Sequence, residues 1–256
     1  MPRLHLKRQW KACRTAPVTS VNSIAAVLVC AGSGKRFGDE SQSPKQYQLL
    51  KGSPVYTWGL RCLLDHERIN RVVLVVATDM EEDIKTDVEK WITKGLEKLS
   101  VTTGGATRQA SVFNGLKLLS QQESLPDAVL VHDAARPFIN ATILDDVIKC
   151  VEKEQACTVG SPVSDTVKRV DDSIIGETVD RTNLVAVQTP QAARFSELFK
   201  AHQRAEADGW VTTDDAAIME MAGYKVSVVL STRWNIKITT KEDLRICEAL
   251  ALAINR

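Results

Sequence analysis

From residue 24 onward, short apolar runs alternate with longer segments whose apolar residues recur at helical spacing. The predicted strands are Ala25–Cys30, Arg71–Ala77, Val101–Thr103, Ala128–His132 and Tyr224–Leu230. The predicted helices are Tyr56–Leu64, Glu81–Lys98, Ala110–Leu119, Ile143–Val151, Thr213–Met221 and Lys241–Ile254. Strands that alternate with helices need crossover connections, so this order indicates an α/β fold with a mostly parallel sheet. Because the strand runs are apolar on both faces, we expect helices to flank the sheet.

Residues 160–183 interrupt this alternation. Apolar and polar residues alternate on both sides of the pair Asp171–Asp172, and this pattern predicts a β-hairpin. A two-stranded hairpin is only marginally stable alone. We therefore expect the hairpin, here called the arm, to protrude and to pack against another subunit.

The composition is that of an ordinary globular protein. The chain has 256 residues, of which 44% are hydrophobic and 25% charged, and its net charge is +1. A charge near zero argues against a general nucleic-acid binder. No run of 18 apolar residues predicts a membrane span. The six cysteines form no CxxC pair and the four histidines no HxxxH pair, which disfavours a zinc site and indicates reduced cysteines in a cytoplasmic protein.

Residues 1–23 form a basic leader, with no acidic residue before Asp39. Such leaders include organelle transit peptides. This one is short and lacks amphipathic periodicity, so we favour a disordered tail or an upstream start codon, and expect residues 24–256 to form a single domain.

Candidate chemistry begins directly after the first predicted strand, in the sequence AGSGKR at residues 31–36. Three cations accompany this glycine loop: Lys35, Arg36 and Lys45. Gly32 and Gly34 allow close approach of the backbone to a ligand, and amides with cations suit a nucleoside triphosphate. Arg36 stands where a Walker loop needs Ser or Thr, and Phe37 where a dinucleotide loop needs glycine. The glycines alone fit an ordinary strand-to-helix turn equally well.

Eight segments carry a more specific pattern. They are residues 31–36 with 44–47 (PKQY), 104–111 (GGATRQAS), 132–137 (HDAARP), 165–169 (DTVKR), 179–181 (VDR), 188–191 (QTPQ), 213–215 (TDD) and 235–239 (NIKIT). In this order they resemble the 2-C-methyl-D-erythritol 4-phosphate cytidylyltransferases of the non-mevalonate isoprenoid pathway, from about Ile24 to the C-terminus. The resemblance implies a Rossmann-like nucleotidyltransferase fold, and transfer of CMP from CTP to the sugar-alcohol phosphate with release of pyrophosphate.

The resemblance also implies the roles of individual residues. The attacking phosphate oxygen is already an anion, so the reaction needs cations to offset repulsion and requires no general base. The implied catalytic residues are Arg36 and Lys45, which match transition-state stabilisers, and Arg181 and Lys237, which match residues that hold the acceptor phosphate. The residues that match substrate-binding positions are Ala31, Gly32, Ser33, Gly34, Gly104, Gly105, Ser111, Asp133, Thr166, Thr189 and Thr213.

The implied partners are CTP, the acceptor and a second copy of the chain. In the resembled family the arm, with Thr166 and Arg181, crosses to the acceptor site of the other subunit. We expect Mg²⁺ held mainly through the CTP phosphates, because the sequence has no His/Cys cluster.

Some alternatives stay open. Trp234 stands where many relatives have an acidic residue, and D-ribitol 5-phosphate cytidylyltransferases often have an aromatic residue there. The AGSG, DTVKR and VDR segments favour the methylerythritol enzymes. A non-catalytic nucleotide-binding regulator is disfavoured by the presence of Arg36 and Lys45. His132 is interpreted as a packed histidine, and Arg108 as either a phosphate contact or a cation on a helix face.

Overall fold

The computed structural model describes residues 20–32 and 44–254. The strands are β1 Ile24–Val29, β2 Leu49–Leu50, β3 Ser53–Pro54, β4 Arg71–Val76, β5 Leu99–Thr103, β6 Ala128–Asp133, β7 Ala156–Pro162, β8 Val167–Asp171, β9 Ile174–Val179, β10 Val185–Arg194 and β11 Val226–Leu230. The helices are α1 Val55–Asp65, α2 Glu81–Trp91, α3 Arg108–Ser120, α4 Ala141–Lys153, α5 Phe195–Ala207, α6 Asp215–Met221 and α7 Lys241–Ile254.

Within the described residues, seven strands form one sheet in the order β11-β7-β10-β6-β1-β4-β5. The neighbouring strands run parallel except β10, which is antiparallel to both β6 and β7. The predicted α/β class with a mostly parallel sheet is confirmed.

The two-residue period of β1 divides the core between the two faces of the sheet. Ile24, Ala26 and Leu28 pack in a cluster that also contains buried residues of α1, α2 and α4. Ala25 and Val27 pack on the other face with buried residues of α3, α5 and α6. Helices therefore cover both faces, as the apolar runs predicted.

The arm is an antiparallel hairpin of β8 and β9, separate from the main sheet. Its turn lies one residue later than predicted, at Asp172 and Ser173, whose φ angles are 42° and 67°. Left-handed backbone at both central residues is the geometry of a tight hairpin turn. The arm exposes three apolar side chains, Val170, Ile174 and Ile175.

Other boundaries differ from the predictions. The helix predicted over Glu81–Lys98 ends at Trp91, and Gly95, with a φ of 75°, begins a separate 3-10 turn. Strands β7 and β10 and helix α5 were not predicted. Strand β10 contains Pro190 and a register irregularity between Val187 and Gln191. Both features interrupt the regular pattern by which a strand is recognised in a sequence.

Candidate active site

A cleft of about 370 Å³ opens at the carboxyl ends of β1 and β6. This is the edge of an open α/β sheet at which ligands bind. We call it the main cleft; it is lined by Val29, Ala31, Gly32, Lys45, Gln46, Gly105, Ala106, Thr107, Arg108, Ser111, Asp133, Ala135 and Lys237. Seven predicted site residues are thus brought together: Ala31, Gly32, Lys45, Gly105, Ser111, Asp133 and Lys237.

A buried amide fastens the glycine loop to the turn that carries Lys45. Gln46 is buried, and its Nε2 donates hydrogen bonds to the carbonyl oxygens of Cys30 (2.8 Å) and Gly32 (2.7 Å). Lys45 begins the 3-10 turn that contains Gln46. The amide therefore sets the separation between the start of the loop and the lysine.

Gly104 and Gly105 let the loop after β5 pack closely against Ala31 and Ala110. A Cβ at Gly104 would lie 2.4 Å from the Cβ of Ala31, and one at Gly105 would lie 2.6 Å from the Cβ of Ala110. Neither position accommodates a side chain without movement of these neighbours. The Ser111 hydroxyl accepts a hydrogen bond from the Gly105 N–H at 3.1 Å, which fixes the shape of this wall.

A chain of charged side chains runs from one wall of the cleft into the protein interior. Lys237 Nζ donates to Asp133 Oδ2 at 2.6 Å, and Arg108 Nε donates to Asp133 Oδ1 at 2.9 Å. Arg108 Nη1 donates to Asp215 Oδ2 at 2.8 Å, and His202 Nε2 lies 3.1 Å from Asp215 Oδ1. Arg108 is therefore a bridge between two carboxylates rather than a cation on a helix face.

Burial and charge oppose each other at Asp133. Burial alone would raise the pKa of this carboxyl, but Arg108 and Lys237 outweigh burial and hold the pKa well below its usual range. Asp215 behaves alike, since Arg108 and His202 lower its pKa against the effect of burial. Both carboxylates are ionised at neutral pH.

His132 supports this wall as a neutral residue. Its Nε2 lies 3.1 Å from the carbonyl oxygen of Arg136, which can only accept, so Nε2 carries the proton. Its Nδ1 then accepts from the Thr189 hydroxyl at 2.9 Å, and that hydroxyl accepts from the Asp133 N–H at 3.1 Å. Burial lowers the pKa of His132 to about 4. The interpretation of His132 as a packed histidine is confirmed.

A second cleft, of about 240 Å³, lies on the other side of the charged wall. We call it the side cleft; it is lined by Arg108, Asp133, Arg136, Val187, Gln188, Thr189, Gln191, Thr213, Asp214 and Lys237. Thr189 and Thr213 lie here. Arg108, Asp133 and Lys237 line both clefts, so these three side chains form their shared edge.

The remaining predicted residues lie elsewhere. Thr166 and Arg181 are exposed on and beside the arm, and the Arg181 guanidinium donates to the carbonyl oxygen of Ser164. Neither residue lines the main or the side cleft of its own chain. Ser33, Gly34 and Arg36 lie outside the described residues, as does most of the leader, so their roles stay predictions.

The described residues provide no group of three or more His, Cys, Asp or Glu side chains that could hold a metal ion. The five described cysteines are free thiols. No helix in the described part of the chain has the length and apolar character needed to cross a membrane.

Comparison with known proteins gives the family. The profile of IspD, 2-C-methyl-D-erythritol 4-phosphate cytidylyltransferase, matches residues 24–252. The chain belongs to this family. A family member from Bacillus velezensis is 39% identical over 228 residues, which cover 89% of this chain and 95% of the relative. One from Dictyoglomus thermophilum is also 39% identical, over 88% of this chain and 94% of the relative.

Solved structures of the same family have the same fold. The 4-diphosphocytidyl-2C-methyl-D-erythritol synthase of Anaerococcus prevotii superposes with a TM-score of 0.77 at 29% identity, over 90% of this chain and 96% of that one. The 2-C-methyl-D-erythritol 4-phosphate cytidylyltransferase of Thermus thermophilus gives 0.72 at 30% identity, over 88% and 98%. The nucleotidyltransferase fold that the eight segments implied is confirmed.

Two residues of the site were not predicted from the sequence. Gln46 and Asp215 lie inside the quoted segments, yet no role was predicted for either. The available signal for Gln46 was its place directly after the predicted cation Lys45, in the quoted segment PKQY. For Asp215, nothing in the sequence distinguished it from the adjacent Asp214 as the residue that binds an arginine.

Proposed function

We propose that the protein transfers CMP from CTP to 2-C-methyl-D-erythritol 4-phosphate, giving 4-diphosphocytidyl-2-C-methyl-D-erythritol and pyrophosphate. The observation that carries the proposal is the edge shared by two clefts, lined by Arg108, Asp133 and Lys237. CTP in the main cleft and the acceptor in the side cleft would meet at this edge. Family membership supports both substrates. It does not favour D-ribitol 5-phosphate as the acceptor.

The proposed chemistry is a direct in-line displacement. An oxygen of the acceptor phosphate attacks the α-phosphorus of CTP, the new P–O bond forms, and the bond to the β-phosphate oxygen breaks as pyrophosphate leaves with the electron pair. No proton must be removed from the nucleophile. The protein has to bring two polyanions together and to stabilise charge on the pentacoordinate phosphorus. Lys45 and Lys237, which both line the main cleft, support this role, and Arg36 is the further predicted stabiliser.

Cytosine recognition is assigned to Gly104, Gly105 and Ser111. Cytosine presents an amino donor beside the N3 and O2 acceptors, so backbone groups at short range can distinguish it from uracil. The two glycines permit such an approach, and Ser111 already holds the Gly105 amide in place.

Magnesium is proposed as the metal. Asp133 is the carboxylate that lines the main cleft among the described residues, and both of its oxygens are held by cations. This donor set suits an ion that keeps most of its ligands as water and substrate phosphate oxygens, which is the usual behaviour of Mg²⁺. The ion would neutralise phosphate charge. Full activity in EDTA without any divalent ion would contradict the assignment.

The active form is proposed to be a homodimer. The arm of one copy would place Thr166 and Arg181 at the side cleft of the other. Support comes from the exposed apolar residues of the arm and from the fact that Arg181 lines neither the main nor the side cleft of its own chain. A cytoplasmic location stays a prediction from the cysteine pattern.

The direct test is pyrophosphate release from CTP with each acceptor. We expect turnover with 2-C-methyl-D-erythritol 4-phosphate, little with D-ribitol 5-phosphate, and slower turnover when UTP replaces CTP. Faster turnover with D-ribitol 5-phosphate would reverse the acceptor assignment. Nucleotide binding without turnover of any acceptor would instead support the regulator alternative.

A further inference from the structure

Arg108 is fixed between carboxylates of two different elements. It donates to Asp133 at the end of β6 (2.9 Å) and to Asp215 at the start of α6 (2.8 Å). Its remaining nitrogen, Nη2, is buried without a hydrogen-bond partner among the described residues. A planar guanidinium held at two points has little freedom to turn toward a ligand.

The far end of this bridge is anchored in the protein interior. Asp215 is 2% exposed, and its N–H donates to Gln191 Oε1 of β10 at 2.7 Å. His202 of α5 contacts its second carboxylate oxygen at 3.1 Å, and the His202 ring stacks on Phe113 of α3. Asp215 lines neither the main nor the side cleft. Its position is therefore set by packing and not by substrate.

The near end of the bridge leads to Lys237. Arg108 holds one oxygen of Asp133, and Lys237 holds the other. We infer that Arg108 is a positioning residue, which holds Asp133 from the buried side so that its second oxygen directs Lys237 to the shared edge of the clefts. This inference rests on the proposed function, in which Lys237 holds the acceptor phosphate.

Charge gives a second reason for the arginine. Arg108, Lys237, Asp133 and Asp215 carry two positive and two negative charges, so the cluster is neutral. Without Arg108 the other three groups would carry a net negative charge, and the described lining of the side cleft would keep two cations, Lys237 and Arg136, to attract an anionic acceptor. Asp133 could also turn both oxygens to Lys237 and withdraw it from the phosphate. Removal of Arg108 should thus weaken acceptor binding and misplace the nucleophile.

The first experiment compares Arg108→Gln and Arg108→Lys by steady-state kinetics. For Arg108→Gln we expect kcat to fall by about 10- to 100-fold, the range that a small misplacement at a reacting centre can cost. The acceptor KM should rise, and the CTP KM should change less. Arg108→Lys keeps the charge and can make one of the two bonds, so it should recover part of the loss. Thermal melts of both variants establish whether they are folded.

The second experiment separates positioning from direct contact with substrate. Arg108→Gln is repeated in an Asp133→Asn background. If Arg108 acts through Asp133, the added loss should be within about threefold, because contacting residues in one network are not additive. Multiplied effects, or normal kinetics in Arg108→Gln, would overturn the inference. If Arg108→Gln does not fold, the same cycle is run with Arg108→Lys. If the wild-type protein itself shows no turnover, the proposed function is wrong. If the wild type is active but the effects of the two substitutions multiply, only the inference about Arg108 is wrong.

Discussion

At the scale of single residues, Gln46 connects catalysis to the fold. Its amide donates to two loop carbonyls, at 2.8 and 2.7 Å, beside Lys45. Gln46→Glu replaces the donor with an oxygen that repels both carbonyls. We expect kcat to fall about tenfold or more and the CTP KM to rise, because the glycine loop loses its position relative to Lys45. Steady-state kinetics with varied CTP measure both effects.

The matched control is Gln203→Glu, the same change at an exposed position on α5. It should keep wild-type kinetics and melting temperature. Equal kinetics for the two variants would show that the Gln46 amide does not position the loop.

His132 makes stability depend on pH. The group is neutral in the folded protein, with a pKa of about 4, against 6.5 when unperturbed. Between these values the unfolded chain binds the extra proton, so the free energy of unfolding decreases as pH falls from 6.5 to 4, by up to about 3 kcal/mol. The groups that face it are Thr189, Arg136, Asp133 and Arg108.

Urea unfolding at several pH values measures this contribution. His132→Gln removes the titration and keeps an amide that can donate to the Arg136 carbonyl. The variant should lose less stability than wild type over this range, even if it is less stable at pH 7. Parallel pH profiles would mean that His132 is not the group that titrates.

Many residues that line the main cleft could be predicted from the sequence motifs, and the reasons are physical. Asp133 directly follows the predicted strand Ala128–His132, and parallel strands end at one edge of the sheet, so its place in the cleft was predictable. The bridge from Arg108 to Asp215 was not, because its members stand 107 positions apart and meet only through packing. His132 was interpreted as packed because a lone histidine in a strand is more often packed than catalytic, and the structure shows it buried and hydrogen-bonded through both ring nitrogens.

At the scale of elements, α3 packs closely on the sheet through Gly115. A Cβ at Gly115 would lie 2.7 Å from Val27 Cγ1 and 3.1 Å from Val75 Cγ2. Gly115→Ala should therefore destabilise the protein by about 1–3 kcal/mol through overpacking, against a gain in helix propensity of about 1 kcal/mol. Gly59→Ala in α1 is the matched control, because its Cβ would meet its nearest neighbour, His132, at an ordinary 3.5 Å.

Thermal and urea unfolding of the two variants give the comparison. Gly59→Ala should equal or exceed wild type in stability, and Gly115→Ala should fall below it. A Gly115→Ala variant as stable as Gly59→Ala would mean that α3 can move away from the sheet at little cost.

The strands that were predicted from the sequence differ from those that were not in how many polar side chains they bury. Strands β1, β4 and β6 are apolar runs that bury themselves, so their pattern predicts them. Strand β10 buries the polar side chains of Gln188 and Gln191. The Gln191 amide finds its hydrogen-bond partners in other elements, for example Asp214, to whose Oδ2 its Nε2 donates at 3.0 Å. Such pairing is set by tertiary structure, and apolar periodicity does not reveal it.

At the scale of the whole molecule, the proposed dimer predicts that two inactive variants restore each other. Lys45→Ala damages the main cleft of its own chain, whereas Arg181→Ala would damage the side cleft of the partner. In a mixed dimer one site then carries both lesions and the other carries neither. After subunit exchange, each mixed dimer should have about half of the wild-type activity, since the two-fold arrangement is reciprocal.

The reverse combination tests the direction of the exchange. When wild type is mixed with a chain that carries both substitutions, each site of the mixed dimer has one lesion, and mixed dimers should be inactive. If Arg181 instead acted in its own chain, the outcomes would be exchanged. Mixed dimers of the two single variants would be inactive, and in mixed dimers of wild type with the double variant one of the two sites would be active. Native mass spectrometry verifies that mixed dimers form, so that the two activities together assign the arm to one subunit or the other.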